Sequence, residues 1–130
     1  MRYLTRAFAL GALRRGQGIE QFLGPAQIDG AAAVRWVSVS PIRGGRLVVT
    51  LHTVADPDDD TFLDLANFLS LDPVDEDHVG QGRELGWFDD PEQAIEAAER
   101  LTDAVPDRWV NFSVAGEEYA DFVRARRQHT

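Results

Sequence analysis

The sequence predicts an α+β fold in which N-terminal and C-terminal helices pack on one face of an antiparallel sheet of about four strands. Three observations support this prediction: amphipathic segments at both ends, a Gly44-Gly45 turn between two runs rich in β-branched residues, and a helix start at Asp90-Pro91. A chain of 130 residues with 44% hydrophobic content suits one compact core, so we expect a single domain over residues 1–130.

The N-terminal segment has the pattern of a short amphipathic helix over residues 2–15. Apolar residues recur every four positions from Leu4 to Ala12, and arginines stand at the C-terminal end, where the helix dipole favours positive charge. Residues 19–23 are expected to form one or two further helical turns, because Gly24-Pro25 is a typical helix stop.

Two apolar, β-branched runs at residues 34–42 and 46–54 predict a β-hairpin with its turn at Gly44-Gly45. With those two residues as the turn, Trp36 shares a face with Leu47 and Val49. A loop one residue longer would exchange the faces of one strand, so the sequence predicts the hairpin and leaves its register open.

Further elements follow along the chain. Residues 61–68 are expected to form a strand, with one short helix as the alternative, and residues 83–88 a short strand. Asp90 as N-cap, Pro91 at the first helical position and Gln93 at the capping-box position predict a helix that runs through Ala104. Residues 109–114 are an apolar connection or a fifth strand, and residues 117–127 a last helix with acids in its first turn and arginines in its last.

Charge is divided along the chain into three blocks. Residues 1–55 carry +5, residues 56–121 carry −17 and residues 122–130 carry +3, which gives the net charge of −9. Either the basic ends fold back and neutralise the acidic middle, or the acids stay free and attract a protein partner with a basic surface. In the second case Trp87 is the candidate anchor, because acids flank it and tryptophan is enriched at binding hot spots.

The chain has no cysteine, no zinc-type histidine spacing, no G-x-S-x-G nucleophile motif and no phosphate-binding loop. We therefore expect no cofactor and no catalysis. The alternative from another class is a metal-dependent enzyme that uses Asp56, Asp58, Asp60 and His78, although the loop lacks the glycine and glutamate of a calcium-binding EF-hand. The −17 block argues against nucleic acid, and the short N-terminal apolar stretch against a signal peptide or a membrane span, so we expect a cytoplasmic protein.

In overall style the chain resembles the immunity proteins of bacterial polymorphic and contact-dependent toxin systems, which are small, cysteine-free, acidic α+β domains with Asp-Pro-rich loops and scattered tryptophans. The resemblance implies a stoichiometric inhibitor that neutralises a cationic toxin domain. It also implies the contacting residues, which are Asp56, Asp58, Asp59 and Asp60 in one loop, Asp72, Asp75, Glu76 and Asp77 in a second, and Trp87 with Asp89. A small cytosolic regulator that binds another protein is the alternative, and the oligomeric state stays open.

Overall fold

A computed structural model describes residues 2–61, 64–75 and 82–128. The helices are α1 (Arg6–Arg14), α2 (Pro91–Leu101) and α3 (Ala115–Gln128). The strands are β1 (Ile19–Ile28), β2 (Ala31–Pro41), β3 (Leu47–Ala55), β4 (Arg83–Phe88) and β5 (Val110–Asn111), and 3-10 turns occupy Arg43–Gly45 and Leu65–Asn67. Among the described residues, no helix is long and apolar enough to cross a membrane.

The five strands form one antiparallel sheet in the order β4-β3-β2-β1-β5. The predicted α+β class and the antiparallel sheet are confirmed. The sheet has five strands because β1, whose residues 19–23 we expected to be helical, joins it, and because the apolar segment after Trp109 contributes β5.

Strand β1 replaces the helical turns that were predicted for residues 19–23. Gly24, which was taken as a helix stop, has a φ of 107° and lies at an irregularity in the strand pairing after Phe22. Asp29 and Gly30 both have positive φ and form the two-residue turn between β1 and β2. The Asp29-Gly30 pair is thus a sequence signal for a hairpin, and the helical prediction for residues 19–23 did not take it into account.

The β2–β3 hairpin is confirmed, and its register is the alternative with the longer loop. Pro41 pairs with Leu47 and the Ile42 N–H donates to the Arg46 carbonyl (2.9 Å), so the turn spans the three residues 43–45, one more than the predicted Gly44-Gly45. One extra residue moves Trp36 opposite His52 and away from the face of Val49.

The helices lie on both faces of the sheet, which corrects the prediction that they share one. Side chains of α1 and α2 pack with Val37 and Val39 of β2, whereas α3 packs with Val34 and Trp36 of the same strand. Because neighbouring positions of a strand point to opposite faces, α3 covers the face opposite α1 and α2.

The segment between β3 and β4 differs from its predicted strand. Leu65–Asn67 is a 3-10 turn, and residues 62–63 lie outside the described part of the chain. The backbone of Leu69 and Leu71 bonds to Ala55 and Thr53, so this segment continues the edge of β3. Helix α2 begins at Pro91 as predicted, with the Asp90 carboxylate accepting from the Gln93 N–H (3.2 Å), and ends at Leu101, three residues before the predicted end.

Candidate functional site

The first acidic loop is paired with the arginines of α3. Arg126 donates to Asp56 (2.8 Å) and to Asp58 (2.6 Å), and Arg124 donates to Asp60 (3.0 Å). The Tyr119 hydroxyl donates a further bond of 2.6 Å to Asp56. The basic C-terminal end has therefore folded back onto the loop, which is the first of the two arrangements that the charge pattern left open.

The side chain of Asp56 is buried to 4% exposure, so its charge depends on these partners. Burial opposes ionisation, but the Arg126 guanidinium, the Tyr119 hydroxyl and the Asp58 N–H together hold the pKa of Asp56 below its ordinary value. Asp59 bonds to the backbone and hydroxyl of Thr61 and stays exposed. We expected all four carboxylates of this loop to be available to a partner; Asp56, Asp58 and Asp60 are instead engaged within the chain.

The second acidic loop is also tied internally where it is described. Arg83 binds Asp72 through two nitrogens, at 2.7 and 3.0 Å, and this contact lowers the pKa of the buried Asp72 carboxyl. Asp75 accepts a 2.6 Å bond from the Ser70 hydroxyl. Glu76, Asp77 and His78, which complete the predicted contacts and the alternative metal site, lie outside the described residues.

Guanidinium groups thus stand where the alternative metal site would need a cation. Arg126 bridges Asp56 and Asp58, and Arg124 and Arg127 pair with Asp60. Within residues 2–61, 64–75 and 82–128, no group of three histidine or acidic side chains is arranged to hold a metal ion.

Trp87 is the aromatic residue among the predicted contacts, and the structure presents it to solvent. Its side chain is 49% exposed, whereas Trp36 and Trp109 are core residues. The indole N–H donates to Glu84 (2.9 Å), and the Arg46 guanidinium lies 5.1 Å from the ring centroid. Arg46 in turn pairs with Asp89 (3.3 Å), so side chains on two sides hold the exposed ring in place.

The position of Trp87 on the sheet favours access by another molecule. Strand β4 forms one edge of the sheet and pairs with β3 alone. Beside Trp87 a shallow groove is lined by residues at the end of β2, in the loop after it, and in β3 and β4, among them Pro41, Ile42, Val48 and Thr50. The groove, the edge strand and the indole together form what we call the Trp87 surface.

Four acids in and just after α2 have no arginine partner. Among the described residues, no ion pair engages Glu92, Glu96, Asp103 or Asp107. The predicted contacts did not include these four acids, which follow β4 along the chain. Glu92 and Glu96 stand four residues apart within the predicted helix, which places them on one side of α2, and this spacing is the signal that could have identified them.

A scan against protein-family models and searches of curated proteins and of solved structures found no match to this chain. The choice of function therefore depends on the geometry and charge described above.

Proposed function

We propose that the chain is a non-catalytic protein-binding module whose anchor is Trp87. The observation that carries the proposal is an indole held half-exposed at a sheet edge by Glu84 and by Arg46. Tryptophan is enriched at binding hot spots, and a ring that is already fixed loses little conformational entropy when a partner covers it.

The charge distribution supports a partner with a basic surface. The chain has a net charge of −9, and the unpaired acids Glu92 and Glu96 follow Trp87 closely along the chain in α2. Opposite charges accelerate encounter and discriminate among partners, while apolar contacts around the anchor provide most of the affinity. In this proposal the loop of Asp56, Asp58 and Asp60 serves the fold, and the acids of α2, on the sheet face opposite the Trp87 side chain, attract the partner at long range.

Within this proposal, an immunity-type inhibitor of a toxin domain in the cytoplasm is the specific form that we favour. Its support is the acidic, cysteine-free composition together with an exposed anchor. A small regulator of another cytosolic protein would use the same surface. The two differ in whether the bound partner is an enzyme whose activity is lost at one equivalent of this chain.

The test uses Trp87→Ala with Phe8→Ala as its control, since Phe8 is also an exposed aromatic residue but lies in α1. Each variant and the wild type are immobilised and incubated with a lysate of the cells that encode the chain. A partner retained by the wild type is identified, purified and measured by calorimetry, and any enzymatic activity is assayed with and without the chain.

We expect the dissociation constant of a basic partner to rise about 30-fold with Trp87→Ala, the effect of a hot spot of about 2 kcal/mol, and to change little with Phe8→Ala. Equal loss with both variants, or unchanged binding with Trp87→Ala, would remove the Trp87 surface from the interface. Inhibition of the partner at one equivalent favours the inhibitor over the regulator.

A further inference from the structure

One side of strand β4 lies open along the edge of the sheet. In β3 the odd-numbered residues direct their backbone groups away from β2, since Thr53 and Ala55 bond to the segment that continues the edge. Val49, which pairs with Gly86, therefore bonds to β4, and Trp87, the next residue of β4, directs its own N–H and C=O outward. No described residue bonds to that outer side.

The opposite edge of the sheet is less suited to an added strand. Strand β5 has two residues, and its Val110 also pairs with Tyr3. The part of β1 beyond Glu20 contains Pro25, which has no N–H to donate, next to the irregularity at Gly24. Strand β4 has six residues and no proline, so it is the edge that can accept another strand.

Trp87 offers both its backbone and its side chain at this edge. Its ring is half-exposed and is held by Glu84 and Arg46. A residue placed opposite Trp87 in an added strand would exchange two backbone hydrogen bonds with it and pack its side chain against the indole. In recognition by strand addition, backbone bonds provide affinity and side-chain pockets provide specificity, and the groove beside Trp87 is such a pocket.

The charges along β4 favour a basic occupant over a second copy of the chain. The arginines beside the edge, Arg83 and Arg46, are each paired with an aspartate. No ion pair within the described residues engages Glu84 or Asp90, and Arg43 is the unpaired cation that lines the groove. A second copy would bring a further net charge of −9 to the same edge, and repulsion would oppose the contact.

We propose that the partner binds through an extended, basic segment that pairs with β4 as a sixth strand. This inference rests on the proposed function, because it states how a partner meets the Trp87 surface. The backbone of the segment bonds to the outward N–H and C=O of Trp87, and one of its side chains covers the indole. Its basic residues lie toward Glu84 and Asp90.

The probe is a blocked octapeptide of alternating arginine and valine, titrated into the isotope-labelled full chain and followed by NMR. A second peptide has glutamate in place of each arginine. A third carries methyl groups on its central backbone nitrogens, which removes the hydrogen-bond donors from both of its edges. We expect the acidic and the methylated peptides each to bind at least about fivefold more weakly than the basic one.

Amide hydrogen exchange distinguishes strand pairing from contact with the side chain alone. The Trp87 N–H faces outward, whereas the N–H of Phe88 faces β3, because Phe88 pairs with Leu47. We expect the basic peptide at saturation to slow exchange of the Trp87 N–H about tenfold or more and to change that of the Phe88 N–H by less than about twofold.

Two substitutions at one position separate the indole from the backbone. Trp87→Val removes the indole and keeps the outward N–H, whereas Trp87→Pro removes both without the loss of a bond to β3. We expect the dissociation constant of the basic peptide to rise about fivefold with Trp87→Val and about a further fivefold with Trp87→Pro, the fold-change for one hydrogen bond. Equal binding by the two folded variants would contradict strand addition. If Trp87→Pro fails to fold, the exchange measurement and the methylated peptide decide the question on the wild type.

Failure of this inference and failure of the proposed function give different results. Binding that Trp87→Val weakens, without slower exchange of the Trp87 N–H, would overturn strand addition and retain the anchor. Slower exchange without any effect of Trp87→Val would support strand addition and remove the indole as the anchor.

Three further results would overturn the inference. They are no saturation by the basic peptide up to about 5 mM, equal affinity for the acidic or the methylated peptide, and a dimer of the free chain that Trp87→Pro dissociates. Sedimentation of the free chain tests the last of these, and a dimer would assign the edge to a second copy.

Discussion

His52 illustrates how the environment of one residue couples its charge to stability. It lies in β3, stacked on Trp36, with the Ser38 hydroxyl 3.3 Å from its Nε2 atom. Burial lowers its pKa from the ordinary 6.5 to about 4. Between these two values the unfolded chain binds more protons at this residue than the folded chain, so its contribution to stability falls as the pH falls.

We predict that His52→Gln removes part of the pH dependence of stability. The wild type should lose up to about 3 kcal/mol more than the variant between pH 7.5 and pH 4, as measured by urea unfolding. Burial raises the pKa of Glu20, so the contribution of Glu20 to stability rises as the pH falls, opposite to that of His52. The wild type and the variant are therefore compared with each other at each pH. Parallel curves for the two proteins would show that His52 is protonated in the folded state as readily as in the unfolded one.

Glu20 connects two elements that are far apart in sequence. This buried residue of β1 accepts from the backbone N–H groups of Ser113 (3.0 Å) and Ala115 (3.1 Å) at the start of α3. These amides have no partner within the helix, so a carboxylate from the sheet serves as the cap. The contact fixes where α3 begins and how it meets the sheet.

We expect Glu20→Ala to lower the free energy of unfolding by about 1–3 kcal/mol, because the buried Ala115 N–H and the partly buried Ser113 N–H lose their acceptor. Glu117→Ala is the control, since Glu117 lies in the first turn of α3 and is exposed. Its removal should cost less than about 1 kcal/mol, the scale of a charge near a helix dipole. Urea unfolding measures both, and equal losses would mean that Glu20 does not cap the helix.

At the scale of elements, signals confined to a few neighbouring residues were the reliable ones. The Asp90-Pro91 start of α2 depends on one side chain and its own backbone, and it was predicted correctly. The strand character of residues 19–23 depends on pairing with β2 and β5, and the one short-range sign of it is the Asp29-Gly30 turn several residues further along the chain. The register of the β2–β3 hairpin was also left open by the sequence, because it depends on one extra residue in the turn.

At the scale of the whole molecule, the three charge blocks meet in space. Arg2 donates to Glu118 (2.7 Å) and Asp121 (2.6 Å) of α3, and the arginines of the same helix hold the loop after β3. The sequence provided the signs of the blocks but not their positions, because those depend on which sheet face α3 covers. For the same reason the arginine partners of the loop acids were not predicted, and these acids were expected to be free. Trp87 was located from its flanking charges, and its exposure follows from its position on an edge strand.

These pairings lead to a prediction for Asp58→Asn combined with Asp60→Asn. Because Asp58 and Asp60 contact arginines of α3, the double variant should lose about 1 kcal/mol of stability, a small value because Asp58 is largely exposed to solvent. A freely solvated loop, as first expected, would show scarcely any change. Thermal or urea unfolding measures the difference.

A matched control separates local pairing from the repulsion among the acids of a chain with a net charge of −9. Glu96→Gln combined with Asp107→Asn removes the same two charges from residues without an ion pair in the described structure. Relief of repulsion affects both variants, so the control should be as stable as the wild type or slightly more stable. In about 1 M NaCl, where the Debye length is about 3 Å, the gap between the two variants should narrow, because exposed pairs are screened. If the two variants had equal stability at low salt, pairing with the arginines of α3 would add nothing to stability beyond the change in net charge. The loop acids would then again be available to a partner.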